Sequence, residues 1–296
     1  MKRLYIIIYM AAICGISSLL SCSDDDVTAS QTGTGKHALT FEVVHPDTRT
    51  RASEYGFDDG DRIGLFVTKS DETLEPSGNS VNNELLTKGN DGWNAAEKIF
   101  LDNGNYNVYA YYPYSAVSSI DDYEVGVSTD QSCKEDYSAS DVMYARSMNY
   151  NDLANAVRLN FSHVMSKLTI RLIKSEDYEG ELPTKADVFV HSTVTRATLD
   201  LNTGIATKKQ KCGAKSIKAH QTGSHTYEAI VVPQRLDTRL PLIEIEANGV
   251  SYLLESKFVF KKGMNHVVNV VIPSSPEQVK IEVSGEVDNW SSEQTR

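Results

Sequence analysis

Short stretches in which apolar and polar residues alternate recur along most of this chain, and turn-forming residues separate them. In Lys167–Lys174, for example, Leu168, Ile170 and Leu172 fall on one face of a predicted strand. A period of two residues is typical of a half-buried β-strand, whereas an amphipathic helix has a period of about 3.6 residues. No window of about 15 residues shows that helical period. The pattern therefore predicts an all-β protein made of β-sandwiches.

Turn residues divide the chain into short segments. Pairs of Asn or Asp with Gly lie between several of the alternating stretches and favour the positive φ angles of tight turns. The segment Glu244–Tyr252, with Asn248-Gly249 at its centre, predicts a β-hairpin. Short helices are expected only near Ser140–Tyr144 and Asp152–Ala154. After a first strand near residue 40, the predicted strands are Arg62–Thr68, Tyr106–Tyr112, Ala156–Phe161, Lys167–Lys174, Ala186–His191, Arg196–Leu201, Thr226–Val232, Leu242–Ala247, Ser251–Phe260, His266–Ile272 and Val279–Val287.

Length and charge limit the class of protein. The chain has 296 residues, of which 40% are apolar, so it can bury a sizeable core and is not disordered throughout. Its formal net charge of −11 argues against a nucleic-acid partner, because phosphate binding needs clustered Lys and Arg. Charge, Gly and Pro interrupt the strand pattern between residues 176 and 184. We therefore expect an N-terminal β-sandwich domain at 37–178 and a C-terminal one at 179–296.

The first residues predict an export signal at 1–21. Lys2 and Arg3 precede an almost uncharged apolar run, Leu4–Leu20, that is short for a membrane span. The end of this run, Leu19-Leu20-Ser21-Cys22, resembles a bacterial lipobox. That resemblance implies cleavage before Cys22 and attachment of acyl chains such as palmitate, which would hold the protein on the outer membrane.

Residues 22–36 are polar and acidic and predict a flexible tether after the lipid. The run Asp24-Asp25-Asp26 within it resembles the surface-export signal of Bacteroidales lipoproteins. With Cys22 acylated, Cys133 and Cys212 are the cysteines left for a folded domain. In an oxidising compartment they could form a disulfide, or both could stay free, and the sequence leaves the two states open.

Side chains that could carry chemistry are scattered, and no motif joins them. None of the seven His lies in a metalloprotease motif, and no nucleophile-elbow or phosphate-loop pattern occurs. His163 lies between two predicted strands, where a histidine most often has a structural role. Asp58–Asp61 could attract calcium but lacks the later Glu of an EF-hand and is more typical of a tight turn. We predict no catalytic residue, no metal site and no cofactor, and hence no enzyme.

Several short motifs occur along the chain in a fixed order. They are Thr48–Ala52 (TRTRA), Phe57–Phe66 (FDDGDRIGLF), Tyr109–Tyr114 (YAYYPY), Ser140–Ala145 (SDVMYA), Leu159–Leu168 (LNFSHVMSKL), Gly263–His266 (GMNH) and Asp288–Trp290 (DNW). Together they resemble the fimbrillin family, the Mfa-like and FimA/FimB-like lipoproteins that build type V pili in Bacteroidales. Phe57 stands where many relatives have Trp, which is a mild departure.

The resemblance implies two transthyretin-like β-sandwich domains in tandem. It also implies a structural subunit or anchor of a cell-surface fimbria that has other fimbrial subunits as partners and supports adhesion. The sequence does not name the adhesive ligand. In the family a trypsin-like protease cuts after an early arginine, here Arg49 or Arg51. The first strand, about Leu39–Val44, then leaves, and a strand of the next subunit replaces it by donor-strand exchange. Leu39, Phe41 and Val43 form the apolar side of that strand.

Two alternatives stay open. Thr48–Ala52 is also typical of an ordinary polar loop, and anchor members of the family keep both their first strand and their lipid. The protein could instead be a non-polymerising surface lipoprotein that binds glycans or host ligands. The tyrosines of Tyr106–Tyr114 would support that reading if they faced outward, because aromatic rings stack on sugars.

Overall fold

Strands make up most of the described chain, as the alternating pattern predicts. The computed structural model describes residues 35–49, 56–275, 279–288 and 290. These residues include one α-helix, α1 (Lys134–Ala139), and one 3-10 helix, Pro46–Arg49. None of their helices has the length and apolar character needed to cross a membrane. The strands are β1 (Lys36–Ala38), β2 (Phe41–Val44), β3 (Arg62–Lys69), β4 (Val81–Gly89), β5 (Gly92–Ala95), β6 (Phe100–Asp102), β7 (Tyr106–Tyr112), β8 (Tyr123–Gly126), β9 (Met143–Tyr150), β10 (Val157–Asn160), β11 (Ser162–His163), β12 (Ser166–Lys174), β13 (Asp187–Thr193), β14 (Arg196–Asp200), β15 (Ile205–Lys208), β16 (Lys215–Lys218), β17 (His220–Gly223), β18 (Thr226–Val231), β19 (Gln234–Ala247), β20 (Val250–Phe260), β21 (Met264–Ile272) and β22 (Lys280–Asp288).

A six-stranded antiparallel sheet of order β11-β9-β7-β3-β4-β5 organises the first half of the chain. Its central strands are buried on both faces, because a separate hydrophobic core lies against each face. On β3, Ile63 and Leu65 belong to one core, called the first core, and Phe66 belongs to the other, called the second core. On β7, Val108 and Tyr109 divide in the same way. Adjacent residues can enter different cores because successive side chains of a strand point to opposite faces.

Short strands close the first core on the side away from this sheet. Leu101 of β6 and Val157 and Leu159 of β10 are buried in it. Strand β1 pairs antiparallel with β6, and β2 pairs in parallel with β10. The first core is therefore covered in part by the earliest described strands of the chain.

The second core is built mainly by the second half. A five-stranded sheet of order β17-β18-β12-β21-β22 and a four-stranded sheet of order β16-β13-β19-β20 both contribute to it. Ile170 of β12 and Val190 of β13 are fully buried there. The predicted hairpin is confirmed: Ala247 pairs with Val250, and Asn248 and Gly249 have φ angles of 52° and 77° between β19 and β20.

The two halves share strands as well as a core. Strand β8, from the first half, pairs with β14 of the second half in a three-stranded sheet of order β15-β14-β8. Tyr111 of β7 and Tyr123 of β8 meet edge to face, with ring centroids 5.1 Å apart, and both lie in the second core. Gly35–Arg296 accordingly form one compact unit.

The change of strand partners falls earlier than the charged break near residue 180. Strand β11 pairs with β9 of the first half, whereas β12, which begins at Ser166, pairs with β18 and β21 of the second half. The domains at 37–178 and 179–296 remain a prediction, and the change of strand partners falls at the short link between His163 and Ser166.

Three local predictions are wrong. Met143–Tyr150 is strand β9 rather than part of a helix near Ser140–Tyr144, and the α-helix lies at Lys134–Ala139 instead. The start of β9 shows no alternation of apolar and polar residues. Its first three residues are all buried, Tyr144 in the second core and Met143 and Ala145 in the first. Asp152–Ala154 lies in a turn, not a helix. The predicted tether is also too long at its end, because Lys36 already belongs to β1.

Candidate assembly site at the first strand

The first strand, predicted at about Leu39–Val44, is β2 (Phe41–Val44) in the structure, and a further short strand, β1 (Lys36–Ala38), precedes it. Lys36–Ala38 pair with β6, and Phe41–Val44 pair with β10, with Leu39 and Thr40 between them. Flanking hydrogen bonds extend both pairings: the Leu39 amide donates to the Ile99 carbonyl at 2.9 Å, and the Val157 amide donates to the Thr40 carbonyl at 2.8 Å. We call residues 36–44 the first-strand segment. The segment therefore pairs with β6 before Leu39 and with β10 after Thr40.

The apolar side of this segment faces the first core. Leu39 is 8% exposed, and Phe41 and Val43 are partly buried against the same core. Glu42 points the other way and forms an ion pair with Arg158 of β10 in which both side chains are more than half exposed. An exposed pair of this kind contributes only about 0.2–1 kcal/mol. Burial of the apolar side chains is therefore the larger part of what holds the segment.

The parallel β2–β10 pair stands apart from the six-stranded sheet. Its register joins Phe41 to Val157 and Val44 to Asn160, and the Phe161 amide donates to the Val44 carbonyl at 3.0 Å. Within the described residues β2 has no strand partner other than β10. Removal of β2 would leave one edge of β10 and part of the first core open.

The predicted processing and lipidation sites lie at or beyond the described residues. Arg49 is the last residue of the 3-10 helix Pro46–Arg49, five residues after the end of β2. Arg51 and Cys22 lie outside the described residues. Cleavage at either arginine and lipidation at Cys22 therefore remain predictions.

A buried ionic cluster lies directly after the first-strand segment. The side chain of His163, on β11, is fully buried. Its Nδ1 lies 2.9 Å from Oδ1 of Asp141, and its Nε2 lies 3.3 Å from Oδ1 of Asp47. Asp47 belongs to the 3-10 helix that follows β2, whereas Asp141 precedes β9. A protonated His163 can donate one hydrogen bond to each carboxylate and so joins the first-strand region to the central sheet.

The charges in this cluster stabilise one another. Burial lowers the pKa of His163, but the carboxylates of Asp141 and Asp47 outweigh that effect and raise the pKa to about 9. Burial raises the pKa of Asp47, but the hydrogen bond and charge of His163 outweigh it, so this pKa lies below its ordinary value. Near neutral pH, His163 is therefore a buried cation between two anions.

Aromatic rings enclose the cluster. The ring of Trp290 stacks on His163 with centroids 3.9 Å apart and planes 9° apart. His45 meets His163 edge to face at 5.9 Å and Phe57 at 4.8 Å. Burial lowers the pKa of His45, so this second histidine is neutral near pH 7, and its Nδ1 accepts a hydrogen bond from the Asp47 amide at 3.2 Å. The enclosure keeps water from the His163 ion pairs, which strengthens them.

The cluster could not be read from the sequence. His163 was expected to have a structural role, and its burial and bonding agree with that. Its two partners are 116 and 22 positions away, and no local pattern connects them. Only the fold brings the segment after β2 next to β11.

Other predicted candidates have ordinary roles. Asp58–Asp61 form a tight turn in which the Asp58 amide donates to the Asp61 carboxylate at 2.7 Å. Cys133 and Cys212 are free rather than joined in a disulfide. Tyr106, Tyr109 and Tyr111 are each 5% exposed or less, so they form no outward-facing aromatic platform.

Solved structures of similar fold come from Bacteroides and Porphyromonas. A "putative cell adhesion protein" from Bacteroides ovatus matches 86% of this chain and 98% of its own, with a TM-score of 0.69 and 18% identity. A fimbrial protein from Bacteroides vulgatus matches 86% and 99%, with a TM-score of 0.53 and 15% identity. The tip fimbrial protein Mfa3 from Porphyromonas gingivalis, with its C-terminus truncated, also matches 86% and 99%, with a TM-score of 0.50 and 7% identity. At these identities the likeness is one of fold.

Comparison with curated proteins gives no match. A sequence model described as fimbrillin-like matches residues 50–290. That range includes most of the described strands, from β3 to β22, and contains the short motifs except for the first two residues of Thr48–Ala52. The chain is therefore a member of the fimbrillin-like family.

Proposed function

We propose that this protein is a structural subunit or anchor of a cell-surface fimbria, a type V pilus. The observation that carries the proposal is the placement of the first-strand segment. It is a short edge element, its apolar side covers the first core, and Arg49 follows it within a few residues. Family membership supplies the context in which that arrangement has a use.

Assembly in this proposal proceeds by strand exchange. A protease cuts after Arg49 or Arg51 and frees the first-strand segment, whose backbone pairing with β10 is short. A strand of a neighbouring subunit then pairs with the open edge of β10, which is β-augmentation. Apolar side chains at alternate positions would replace Leu39, Phe41 and Val43 over the first core.

The location follows from the N-terminal prediction. A lipid on Cys22 would place the protein at the outer membrane, exposed at the surface, before or instead of its incorporation in a fimbrium. Its partners would be copies of itself or related fimbrial subunits. We assign it no enzymatic role, no cofactor and no nucleic-acid partner. We also retain a tandem pair of β-sandwich domains as the organisation of the fold.

The alternative of a glycan-binding lipoprotein loses most of its support. It depended on outward-facing rings in Tyr106–Tyr114, of which Tyr106, Tyr109 and Tyr111 are buried and Tyr112 and Tyr114 are half-buried. The Tyr111 hydroxyl instead lies 2.6 Å from both the Ser115 carbonyl oxygen and Oδ1 of Asn83, and it can donate its one proton to either. An adhesive ligand at another surface remains compatible with a fimbrial role.

Limited trypsin digestion of the full-length Cys22→Ser protein tests this proposal. The expected result by intact mass is one early cut after Arg49 or Arg51, followed by slow growth of SDS-resistant ladders on gels. The matched control, Arg49→Gln with Arg51→Gln, should give neither the cut nor the ladders. A clean cut without any assembly would contradict the polymerising subunit and leave the anchor, whereas the absence of a cut there in the wild-type sequence would contradict processing at this site.

A further inference from the structure

We propose that the ion pairs of His163 with Asp47 and Asp141, together called the latch, hold the first-strand segment in place beside β10. His163 contacts the carboxylate of Asp47, which follows the segment in the chain. It also contacts the carboxylate of Asp141, which precedes β9 of the central sheet. The latch acts on the uncut chain, so the inference stands whether or not the protein polymerises.

The connectivity of the cluster supports a latch rather than general core packing. Asp47 is three residues beyond the end of β2, in the 3-10 helix that continues the chain from the first-strand segment. Asp141 precedes β9, which pairs with β7 along most of its length, so this carboxylate belongs to the body of the protein. His163 also belongs to the body, because β11 pairs with β9. Breaking the His163–Asp47 contact therefore removes an ionic link between the segment and the body, in addition to the strand pairing and apolar burial that also hold the segment.

The burial of the cluster gives the contact its strength. The His163 side chain is 0% exposed, and those of Asp47 and Asp141 are 14% and 16% exposed. A buried ion pair is costly to break by removal of one partner, because the other charge is left uncompensated. The exposed Glu42–Arg158 pair, by contrast, connects the same segment to β10 in water. Because the two ion pairs differ in burial, we expect loss of the buried pair to weaken retention of the segment more than loss of the exposed pair.

Other charged groups also face the cluster and set its pH range. Asp141, Asp47 and His45 act on His163, Lys167 of β12 acts on Asp47, and Asp61 acts on His45. Lys167 lies over the Trp290 ring, with Nζ 5.2 Å from its centroid. The net balance favours a charged His163, because two carboxylates contact it directly and its neighbour His45 is neutral.

The sign of the pH dependence follows from this balance. The pKa of His163 is raised in the folded protein, from 6.5 to about 9. Stabilisation by this group is therefore complete below pH 6.5 and is lost as pH rises through about 9. The lowered pKa of Asp47 means that its stabilisation is lost as pH falls into the acidic range. The latch should be closed in slightly acidic and neutral solution and should open in alkali.

Hydrogen exchange of the uncut Cys22→Ser protein tests the latch. The reporters are the amides of Val157 and Phe161, which donate to Thr40 and Val44 of the first-strand segment. At pH 6.5, His163→Gln and Asp47→Asn should each speed exchange at these amides at least tenfold. The double variant should add little to either, because both break the same contact. The matched control, Glu42→Gln, removes the exposed ion pair on the same segment and should change exchange less than threefold.

A pH series adds a readout that a merely structural role would not change. Protection is corrected at each pH for the exchange rate of an unstructured chain. In the wild-type sequence, protection of Val157 and Phe161 should fall between pH 6.5 and 9.5, whereas in His163→Gln it should stay level. Asp47→Asn provides an independent variant if His163→Gln fails to fold.

Three results would overturn the latch. One is exchange at Val157 and Phe161 within twofold of wild type in both His163→Gln and Asp47→Asn. Another is an equal rise in exchange along Leu168–Leu172 of β12, which would mean a general loss of stability. The last is a wild-type protection that does not change with pH.

Discussion

Close contacts at single residues explain why some sequence motifs contain the residues they do. Gly64 of β3 lies opposite Tyr111 of β7, and a Cβ at position 64 would be 2.2 Å from the Tyr111 ring. The ring has no free space to enter, because Tyr111 is 1% exposed and its hydroxyl is bonded to Ser115 and Asn83. Gly64 in the motif Phe57–Phe66 is thus required by the packing between β3 and β7.

Gly64→Ala should lower the free energy of unfolding by about 1–3 kcal/mol, because the added methyl forces Tyr111 or the β3 backbone to move. Urea denaturation followed by circular dichroism measures the change. Gly213→Ala is the matched control, since no atom lies within 4 Å of its added Cβ, and its effect should stay within about 0.5 kcal/mol. Equal stabilities for the two variants would contradict the packing explanation.

At the scale of elements, the first-strand segment has fewer strand partners than a central strand of the six-stranded sheet. Strand β2 has four residues and pairs with β10, whereas β3 has eight residues and pairs with both β4 and β7. Full burial of a Val, Leu or Phe side chain contributes about 1.5–3 kcal/mol, and Phe41 and Val43 are only partly buried. This short pairing and partial burial would suit the proposed exchange, in which another strand of similar pattern replaces the segment.

A chain that begins after Arg51 should bind a hydrophobic fluorescent dye more strongly than the uncut protein, because the first core loses its cover. A peptide of residues 36–47 should suppress that dye fluorescence by occupying the vacated edge of β10. The control is the same peptide with Phe41→Asp and Val43→Asp, which keeps the backbone but loses the apolar side. If the control peptide suppressed the dye equally well, the side chains would not determine occupancy of the groove.

At the scale of the whole molecule, the second core joins both halves of the chain. Phe66, Tyr109 and Tyr123 from the first half are buried in it together with side chains of the second half. Strand β8 is also paired with β14 across the halves. The two domains proposed above would therefore share a large apolar interface, and an interface of this kind couples neighbouring domains.

The two halves should therefore unfold in one transition. Trp93 packs against the first core and Trp290 lies in the second, so Trp290→Phe and Trp93→Phe variants each leave one reporter. Urea midpoints from the two fluorescence signals should agree within about 0.3 M, since shared burial makes the cores cooperative. Midpoints more than about 1 M apart would mean that the halves are independent.

Much of the secondary structure was predictable because β-strands with one buried face carry a period of two. Tyr106–Tyr112 was predicted with the bounds that the structure has, and Arg62–Thr68 was one residue short. Strand β9 was missed because it is buried on both faces at its start, which removes the alternation. Strand β8 was missed because it is short and its partner β14 is about 70 residues away.

By itself the sequence determined the all-β class, the tight turns, the apolar side of the first-strand segment and the family motifs, since each depends on residues close together in the chain. Only the tertiary structure decided that β2 pairs in parallel with β10, that one core spans both halves, and that His163 lies between Asp47 and Asp141. These features join residues distant in the chain. Local periodicity carries no information about such contacts, because they arise only when the elements pack.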